Sequence, residues 1–402
     1  MPQADGIDYP AFIEEVRSFL ADQLTPDLRA ASKRQAGVFA DAELGRRWHK
    51  ILHERGWIAP QWPREFGGPG WNPLQRFLFE DELAKAGAPK IASFGLQLSG
   101  PVIMRFGTPE QKEFYLPRIL SGEHFWCQGF SEPGAGSDLA SLRMTAVRDG
   151  GSDYALNGSK IWTTHAHNAN WIFVLVRTNM AAKPQRGISF LLVPMDSPGI
   201  TVKPIISMSG EHELNQVFFD DVVVPVANRI GEENEGWAVT KYLLEFERGA
   251  GAAASRIKAV GRSARGLAAR SDIAPKDSLW QSSPDFRRRV TQLEIDVQGL
   301  EFMERAIAGR LAANQPVGSM ASQLKLAGST MLQRATELYM EALDVYLPVD
   351  QRAALGSDAT ARPIGPEDGA TPTARYLNTR ANTIYGGSYE VQHNILARAI
   401  GL

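Results

Sequence analysis

The segment AVRDGGSDYALNGSKIWTT, residues 146–164, decides the fold class because its pattern is that of paired strands. Asp149-Gly150 and Asn157-Gly158 are dipeptides that strongly favour tight hairpin turns, and alternating apolar and polar residues flank them. Three short apolar runs follow and read as further strands: WIFVLVRT at 171–178, ISFLLVPM at 188–195 and QVFFDDVVV at 216–224. The pattern predicts a small sheet or barrel of roughly a hundred residues.

Helical periodicity surrounds this β region on both sides. Thr108-Pro109 with Gln111 predicts a capped helix start, and Gly122 predicts the end of that helix. Beyond the β region, long helices are predicted over roughly 236–270, 283–313 and 317–345, as in a four-helix bundle completed by the C-terminal helix. We therefore predict an α+β multidomain chain with an N-terminal helical domain (1–122), a middle β-barrel or sheet domain (123–232) and a C-terminal four-helix bundle (233–402).

The composition excludes several classes of protein. Lys and Arg total 43 against 45 Asp and Glu, so no nucleic-acid partner is indicated. Cys127 is the only cysteine, and the N-terminus has no signal-peptide pattern, so we expect a reducing, cytoplasmic location. The apolar run at 171–176 is too short for a membrane span. His49 and His53 have helical spacing but no accompanying ligand cluster, so no metal site is predicted.

A glycine-rich segment, QGFSEPGAGSD at 128–138, joins the first helical block to the β domain. Gly134, Gly136 and Ser137 give a backbone that exposes its N–H groups to an anion or to the polar edge of a ring. Glu132 and Asp138 would repel a phosphate unless their carboxylates turn away. A generic turn is the alternative interpretation.

The motif NGSKIWTT, residues 157–164, places an indole and a hydroxyl close together. On a strand, Trp162 and Thr164 would point to the same face. That pair suits a flat heteroaromatic ligand that needs both stacking and a hydrogen bond. The alternative is a core tryptophan beside a threonine whose hydroxyl is already satisfied.

A possible base lies in KYLLEFERGAGAAA, residues 241–254. On a helix, Glu247 falls on the same face as Leu243 and Leu244, where desolvation raises the pKa of a carboxylate towards that of a useful base. The small residues that follow, 249–254, leave space for a ligand. The alternative is a surface pair of Glu247 and Arg248 beside a close helix crossing.

The C-terminal segment TIYGGSYEVQHN, residues 383–394, contains two adjacent glycines. Gly386 and Gly387 suit a tight turn or a close approach of another group to the backbone. Ser388 is predicted to cap a terminal helix that carries Glu390 in its first turn.

Together these motifs resemble those of the acyl-CoA dehydrogenase family. GFSEPGAGSD resembles its first signature, NGSKIWTT its strand motif, and IYGGSYEVQHNILA its C-terminal signature, in the family's order along the chain. The resemblance implies FAD between the β domain and the bundle, an acyl-CoA substrate and an electron-transferring flavoprotein as acceptor. It assigns FAD binding to Gln128, Gly129, Phe130, Ser131, Gly136, Ser137, Trp162, Thr163, Thr164, Ser388 and Glu390. It assigns substrate binding to Ser137, Arg248, Tyr385 and Gly386.

The chain departs from the family pattern at Gly386. Many members carry the catalytic glutamate there, and glycine has no side chain to act as a base. A second branch, which includes isovaleryl- and long-chain enzymes, places the glutamate on a bundle helix just before an arginine. Glu247-Arg248 matches that pair, so the resemblance and the apolar-face argument both point to Glu247 as the base.

A second departure concerns the contacts between subunits. The family segments Arg-x-x-Phe-Gly, expected after Arg256, and Gly-Gly-x-Gly-aromatic, expected near 340–350, are absent. This resembles the branch of pimeloyl-CoA dehydrogenase large subunits. We expect a homo-oligomer (dimer or tetramer) or, alternatively, a hetero-oligomer with a diverged paralogue. Two other functions stay open: a flavin-dependent monooxygenase on the same fold, and a non-catalytic subunit of a hetero-oligomeric dehydrogenase.

Overall fold

The structure is a computed structural model that describes residues 6–148, 150–180, 183–247, 252–273, 277–355 and 359–402. Helices form its first part: α1 (Tyr9–Gln23), α2 (Pro26–Arg34), α3 (Ala42–Glu54), α4 (Pro73–Ala86), α5 (Gly100–Phe106) and α6 (Pro109–Ser121). A π-helical turn, Phe94–Ser99, leads directly into α5. Thr108 caps α6 in a capping box with Gln111, and Gly122 ends the helix at φ 80°, as predicted.

The middle of the chain forms one mixed sheet. Its strands are β1 (Trp126–Gly129), β2 (Thr145–Arg148), β3 (Asp153–Lys160), β4 (Trp171–Arg177), β5 (Ile188–Pro194), β6 (Ile200–Ile205), β7 (Leu214–Pro225) and β8 (Arg229–Ile230). Their order is β6-β7-β3-β2-β4-β5-β8, and β1 pairs in parallel with β4. The three apolar runs predicted as strands correspond to β4, β5 and β7.

Strand β4 shows how the sheet and the helices share buried surface. Phe173 and Leu175 point to one face and pack into the core of the N-terminal helices. Ile172 and Val174 point to the other face and pack with neighbouring strands. Because side chains alternate along a strand, this continuous apolar run is covered on both faces. The sheet is therefore fixed against the helical domain.

One of the two predicted hairpin turns is wrong. β2 and β3 do form an antiparallel hairpin across Gly150, whereas Asp149 lies outside the described residues. Asn157 and Gly158 instead lie inside β3, where the pairing with β7 shifts register. Gly158 has φ 142°, so the dipeptide accommodates an irregularity within a strand rather than a reversal of the chain.

Helices return after the sheet: α7 (Gly236–Glu247), α8 (Ala253–Ala268), α9 (Leu279–Ser282), α10 (Pro284–Ala312), α11 (Met320–Glu341), α12 (Thr371–Thr379) and α13 (Tyr389–Ala399). Helices α8, α10 and α11 pack together, α12 packs on α11, and α4 of the N-terminal domain joins against α8 and α10. The order helical, β and helical agrees with the predicted fold class. Among the described helices none is long and apolar enough to cross a bilayer.

The single helix predicted over roughly 236–270 is wrong, because the structure has two helices there. Leu243 of α7 packs with the sheet and the N-terminal helices, whereas α8 packs in the bundle. The buried Glu304 of α10 accepts hydrogen bonds from the amides of Ala253 (2.7 Å) and Ala254 (3.3 Å). A capped start of its own therefore separates α8 from α7.

Candidate functional site

The glycine-rich segment forms a tight turn, and the side chain of Glu132 in this turn is bonded within the protein. The amide and carbonyl of Glu132 both pair with Ala135, at 2.9 and 3.0 Å. The Glu132 carboxylate accepts the amides of Arg143 (2.7 Å) and Met144 (3.0 Å) and the ammonium of Lys160 (2.8 Å). This arrangement turns away the charge of Glu132, one of the two acidic residues that the sequence placed against an anionic ligand, whereas Asp138 is exposed.

Lys160 holds that arrangement in place through its ammonium group. Its side chain is fully buried, and its Nζ also donates to the Phe130 carbonyl at 3.3 Å. Burial lowers the pKa of Lys160 to about 8. The ion pair with Glu132 ties the segment to β3, and it leaves Gly136 and Ser137 exposed in the loop that follows.

The predicted strand placement of Trp162 and Thr164 is wrong, because β3 ends at Lys160. The Ser131 carbonyl accepts the amide of Ile161 at 2.9 Å, and the chain then turns. Trp162 has φ 60° and is 57% exposed. A bulky residue with φ in the left-handed region is strained. Residues strained in this way are concentrated at functional sites in proteins. The indole is therefore presented at the surface by an unfavourable backbone conformation.

Both backbone polar groups of Thr163, its amide and its carbonyl, are bonded to Asn215. Its amide donates to the Asn215 carbonyl at 2.9 Å, and its carbonyl accepts from Asn215 Nδ2 at 3.0 Å. Thr163 Oγ1 is buried and has no hydrogen-bond partner in the described part of the chain. A buried unpaired hydroxyl is costly, so a ligand atom that bonded to it would relieve that cost. Thr164 is half-buried.

Asn215 also connects this segment to a pair of histidines. His212 Nε2 lies 2.8 Å from Asn215 Oδ1, and the rings of His167 and His212 stack with centroids 3.9 Å apart. Burial lowers the pKa of His167. Asn215 is completely buried. No periodicity or motif in the sequence singled it out, because its partners are brought together only by the tertiary fold.

Glu213, two residues earlier, connects three regions of the chain. Its carbonyl accepts the amide of His165 at 2.9 Å. Its carboxylate accepts the amide of Val38 (2.9 Å) and Asn378 Nδ2 (3.2 Å). Burial raises the pKa of Glu213, and it raises that of Glu211 to about 7. The N-terminal domain, the sheet and the C-terminal segment therefore meet at one buried carboxylate.

The two C-terminal glycines form the predicted tight turn. Gly386 has φ 64° and Gly387 has φ 83°, which a side chain would adopt only with strain. Ser388 Oγ accepts the amide of Val391 at 3.4 Å, which confirms Ser388 as the cap of α13. Glu390 is exposed in the first helical turn.

Lys325 of α11 lies against this turn. Its Nζ donates to the Asn382 carbonyl at 2.9 Å and lies 5.1 Å from the ring centroid of Tyr385. The nearest atom to a Cβ built on Gly386 would be this Nζ, at 3.7 Å. Tyr385 is 42% exposed. A cation therefore stands beside the position where many family members carry the catalytic glutamate.

The last two residues of β1 and the following Phe130 are mostly packed inside the protein. Gln128 is half-buried. A Cβ on Gly129 would come within 2.7 Å of Val174, so that glycine is needed for packing in the sheet. Phe130 is buried edge-on against Phe173, with ring centroids 5.7 Å apart. Only the backbone of Phe130 is therefore available to a ligand.

The predicted base and its neighbour fall at the limit of the described residues. Glu247 is the last described residue of α7. Only its backbone is described, and its side chain lies outside the described part of the chain. Arg248 also lies outside them. Leu243, one turn earlier, is fully buried. The assignment of Glu247 as the base stays a prediction.

Of the two histidines on α3, His49 has a structural role. His49 Nε2 lies 2.9 Å from the Leu120 carbonyl, and burial lowers the pKa of His49. Within the ranges that the structure describes, no group of acidic, histidine or cysteine side chains is arranged to hold a metal ion.

Comparison with known proteins gives the family. The acyl-CoA dehydrogenase N-terminal, middle and C-terminal domains match residues 8–123, 127–222 and 234–401. Acyl-CoA dehydrogenase IpdE1 of Mycobacterium tuberculosis is 37% identical over 400 residues, which cover 98% of each chain. The chain belongs to the acyl-CoA dehydrogenase family. It is thus an oxidoreductase that acts on acyl-CoA thioesters, and membership implies a bound flavin.

Two solved structures support the same fold over the full length. The ChsE4-ChsE5 complex from Mycobacterium tuberculosis matches with a TM-score of 0.80 and 33% identity, covering 98% of this chain and 99% of that chain. A structure described as Tcur3481-Tcur3483 steroid ACAD matches with a TM-score of 0.81 and 27% identity, covering 99% of both. The acyl-CoA dehydrogenase fold expected from the sequence is confirmed.

Proposed function

We propose that this chain catalyses the FAD-dependent α,β-dehydrogenation of an acyl-CoA thioester. The observation that best supports this is that the buried residues Glu213 and Asn215 bond to segments distant in the sequence. Asn215 holds the peptide of Thr163, and Glu213 holds Asn378, a residue shortly before the turn at Tyr385. The segment that holds the NGSKIWTT motif is therefore connected to α12, the helix that precedes the C-terminal motif.

Three features of the site suit a flavin. Trp162 is exposed in a strained conformation, Thr163 Oγ1 is buried without a partner in the described residues, and Glu132 is turned away. We assign the FAD contacts to Gln128, Gly129, Phe130, Ser131, Gly136, Ser137, Trp162, Thr163, Thr164, Ser388 and Glu390. We assign the acyl-CoA contacts to Ser137, Arg248, Tyr385 and Gly386. When bound, FAD supplies the redox chemistry by accepting the β hydride at N5.

Glu247 is the proposed base for the α proton. Its backbone lies in α7, one turn after the fully buried Leu243. Desolvation beside Leu243 would raise the pKa of the Glu247 carboxylate and so its basicity. The amide of Gly386 is the proposed donor to the thioester carbonyl, where negative charge develops as the proton leaves.

The test is anaerobic bleaching of the flavin absorbance by a panel of acyl-CoAs. The panel contains straight, branched, dicarboxylic and steroid-derived thioesters, the last because a similar structure is described as a steroid ACAD. Glu247→Gln is expected to keep FAD and to slow bleaching by about 10²- to 10⁴-fold, the range typical of a removed general base. Glu245→Gln, two residues earlier on the same helix, is the matched control and should bleach at the wild-type rate.

Each result has a definite meaning. Equal bleaching of wild type and Glu247→Gln would refute the base assignment but keep the dehydrogenase function. No bleaching of the wild type by any thioester, with FAD bound, would refute the dehydrogenase function. Rapid oxygen consumption by the reduced protein would then favour the monooxygenase alternative.

We further propose that the chain works as an oligomer and passes its electrons to an electron-transferring flavoprotein. The similarity to a chain of the ChsE4-ChsE5 complex supports a hetero-oligomer as well as a dimer or tetramer of identical chains. Native mass spectrometry of the protein purified from its own host would distinguish these assemblies. A hetero-oligomer in which this chain carried no FAD contact would make it the non-catalytic subunit.

A further inference from the structure

A small cavity lies between α3 and the segment around His165. Its volume is about 190 Å³. Pockets for drug-sized ligands measure roughly 300–1,000 Å³, so this cavity suits a much smaller molecule than a CoA thioester. The apolar part of its lining comes from Ala40, Ala42, Ile91 and Phe125. No step of the proposed reaction uses it.

Gly45 leaves this cavity open from the side of α3. It lies inside the helix, where glycine is less favourable than alanine. A Cβ built on Gly45 would have no atom closer than 4.0 Å, and its nearest neighbours would be the Ala40 carbonyl oxygen and Ile91 Cγ2. Both of those residues line the cavity. No contact in the described chain therefore requires glycine here, and a side chain would enter the cavity.

His165 also lines the cavity, with a strained backbone and an unpaired ring nitrogen. Its φ is 56°, in the left-handed region that disfavours a residue with a Cβ. His165 is 8% exposed, and its Nε2 is buried without a hydrogen-bond partner in the described residues. Asn168 Nδ2 donates to Nδ1 at 3.4 Å. Burial lowers the pKa of His165 to about 4, so the ring is neutral at pH 7 and its proton lies on Nε2.

A guanidinium group is held next to this unpaired N–H. Arg46 lines the cavity, donates to the Asn168 carbonyl at 3.1 Å and lies 5.3 Å from the ring centroid of Phe125. Arg46 and His165 therefore both contact Asn168. Because an arginine carries five N–H donors, one bond to a carbonyl leaves donors for a ligand.

No acidic side chain lines this cavity among the residues that the structure describes. Asp41, which acts electrostatically on His165, caps α3 through the amides of Glu43 and Leu44. Lys50 does line the cavity, and its Nζ lies 4.0 Å from the Glu54 carboxylate in an exposed pair. The lining therefore offers donors and positive charge, as an anionic ligand requires.

We propose that this cavity binds a small organic carboxylate. The carboxylate group would bond to His165 Nε2 and Arg46, and the apolar end would lie against Ile91. A ligand oxygen would satisfy the buried N–H, and a hydrogen bond from arginine to a carboxylate is stronger than one between neutral groups. The apolar lining disfavours inorganic phosphate, whose oxygens need donors on all sides. The site is separate from the proposed reaction, so its test does not depend on turnover.

The test is calorimetric titration of the FAD-loaded protein, at constant ionic strength, with acetate, butyrate and benzoate, each paired with its own amide. Wild type should bind the best carboxylate at least about tenfold more tightly than its amide, a factor that equals about 1.4 kcal/mol. Arg46→Met should bind the acid and the amide equally, because the charged donor is lost.

Arg118→Met is the matched control for that variant. Arg118 also lies over a phenylalanine ring, 4.3 Å from the Phe114 centroid, and donates to a backbone carbonyl at 2.7 Å. It is not among the residues that line the cavity. This variant should keep the wild-type preference for the acid.

Gly45→Leu tests the space without removing a charge. It should abolish binding of acid and amide alike, because the leucine side chain would occupy the cavity. The midpoint of thermal unfolding should stay the same or rise, since glycine is replaced inside a helix. That result would separate loss of the cavity from misfolding.

Several outcomes would overturn the inference. Equal affinity of wild type for acid and amide would do so, as would tighter binding of inorganic phosphate than of every carboxylate. Unchanged carboxylate binding in Gly45→Leu would show that the ligand binds elsewhere. Failure of every carboxylate to bind wild type would also overturn the inference, whereas flavin bleaching by an acyl-CoA would still support the proposed function.

Discussion

Replacement of Asn215 by alanine should loosen the segment that presents Trp162 and Thr163. The side-chain amide of Asn215 donates to the Thr163 carbonyl at 3.0 Å, and Oδ1 lies 2.8 Å from His212 Nε2. The backbone bond from the Thr163 amide to the Asn215 carbonyl would survive. The Asn215 amide also bonds to His167 Nδ1, at 3.0 Å from Nδ2. The substitution therefore removes three side-chain hydrogen bonds, to Thr163, His212 and His167, at a fully buried position.

The expected cost follows from those three bonds. Each contributes about 1 kcal/mol, and a buried carbonyl left without a donor costs about 1–3 kcal/mol more. Asn215→Ala should thus lower the free energy of unfolding by about 4–6 kcal/mol, measured by urea titration. Because the lost bond anchors the strained Trp162 segment, the dissociation constant for FAD, measured by flavin fluorescence, should also rise.

Asn170→Ala is the matched control for this prediction. Asn170 makes two side-chain hydrogen bonds, with the Phe125 amide (2.8 Å) and the Glu123 carbonyl (2.7 Å), but it is exposed. Water replaces such bonds, so the cost should stay below about 1 kcal/mol. If Asn215→Ala matched this control in both stability and FAD affinity, the proposed role of Asn215 would be refuted.

Three further changes test buried charge and backbone strain. The pKa of Lys160 is lowered to about 8, so the wild type should gain up to about 3 kcal/mol of unfolding free energy relative to Lys160→Met as the pH rises from 8 to 10.5, in paired urea titrations. The pKa of Glu304 is raised to about 7, so the wild type should lose a similar amount relative to Glu304→Gln between pH 4.5 and 7. A flat difference in either pair would contradict the burial argument. Gly386→Ala should cost about 1–2 kcal/mol in thermal or urea unfolding, because φ is 64° although the space is open; an unchanged stability would show that the turn relaxes.

Local signals in the sequence were enough for the order of helical and β regions and for the approximate extents of α6, α10 and α11. The capping box at Thr108 and the cap at Ser388 are residue-level predictions that the structure confirms. They succeed because a cap depends on residues within one helical turn. The order of the β strands has no comparable local signal, since sequence-distant strands such as β3 and β7 become neighbours only in the folded sheet.

The failures have a common physical origin. Asn157-Gly158 favours a turn locally, but pairing of β3 with β7 keeps it in a strand. Trp162 follows a strand pattern, yet the hydrogen bonds of Asn215 to Thr163 hold this segment beyond the strand end. In both places tertiary hydrogen bonds override the local preference. Asn215 had no signal in the sequence for the same reason.

The backbone conformation and surroundings of Gly386 restrict where the catalytic base can lie. A glutamate at this position would have to adopt φ near 64°, which disfavours any residue with a Cβ. Its Cβ would lie 3.7 Å from Lys325 Nζ, and an ammonium close to a carboxylate lowers the carboxylate pKa and weakens it as a base. Both effects oppose a base on the C-terminal turn. They favour α7 instead, where Glu247 follows the fully buried Leu243 by one turn and desolvation would shift the pKa of a carboxylate upward.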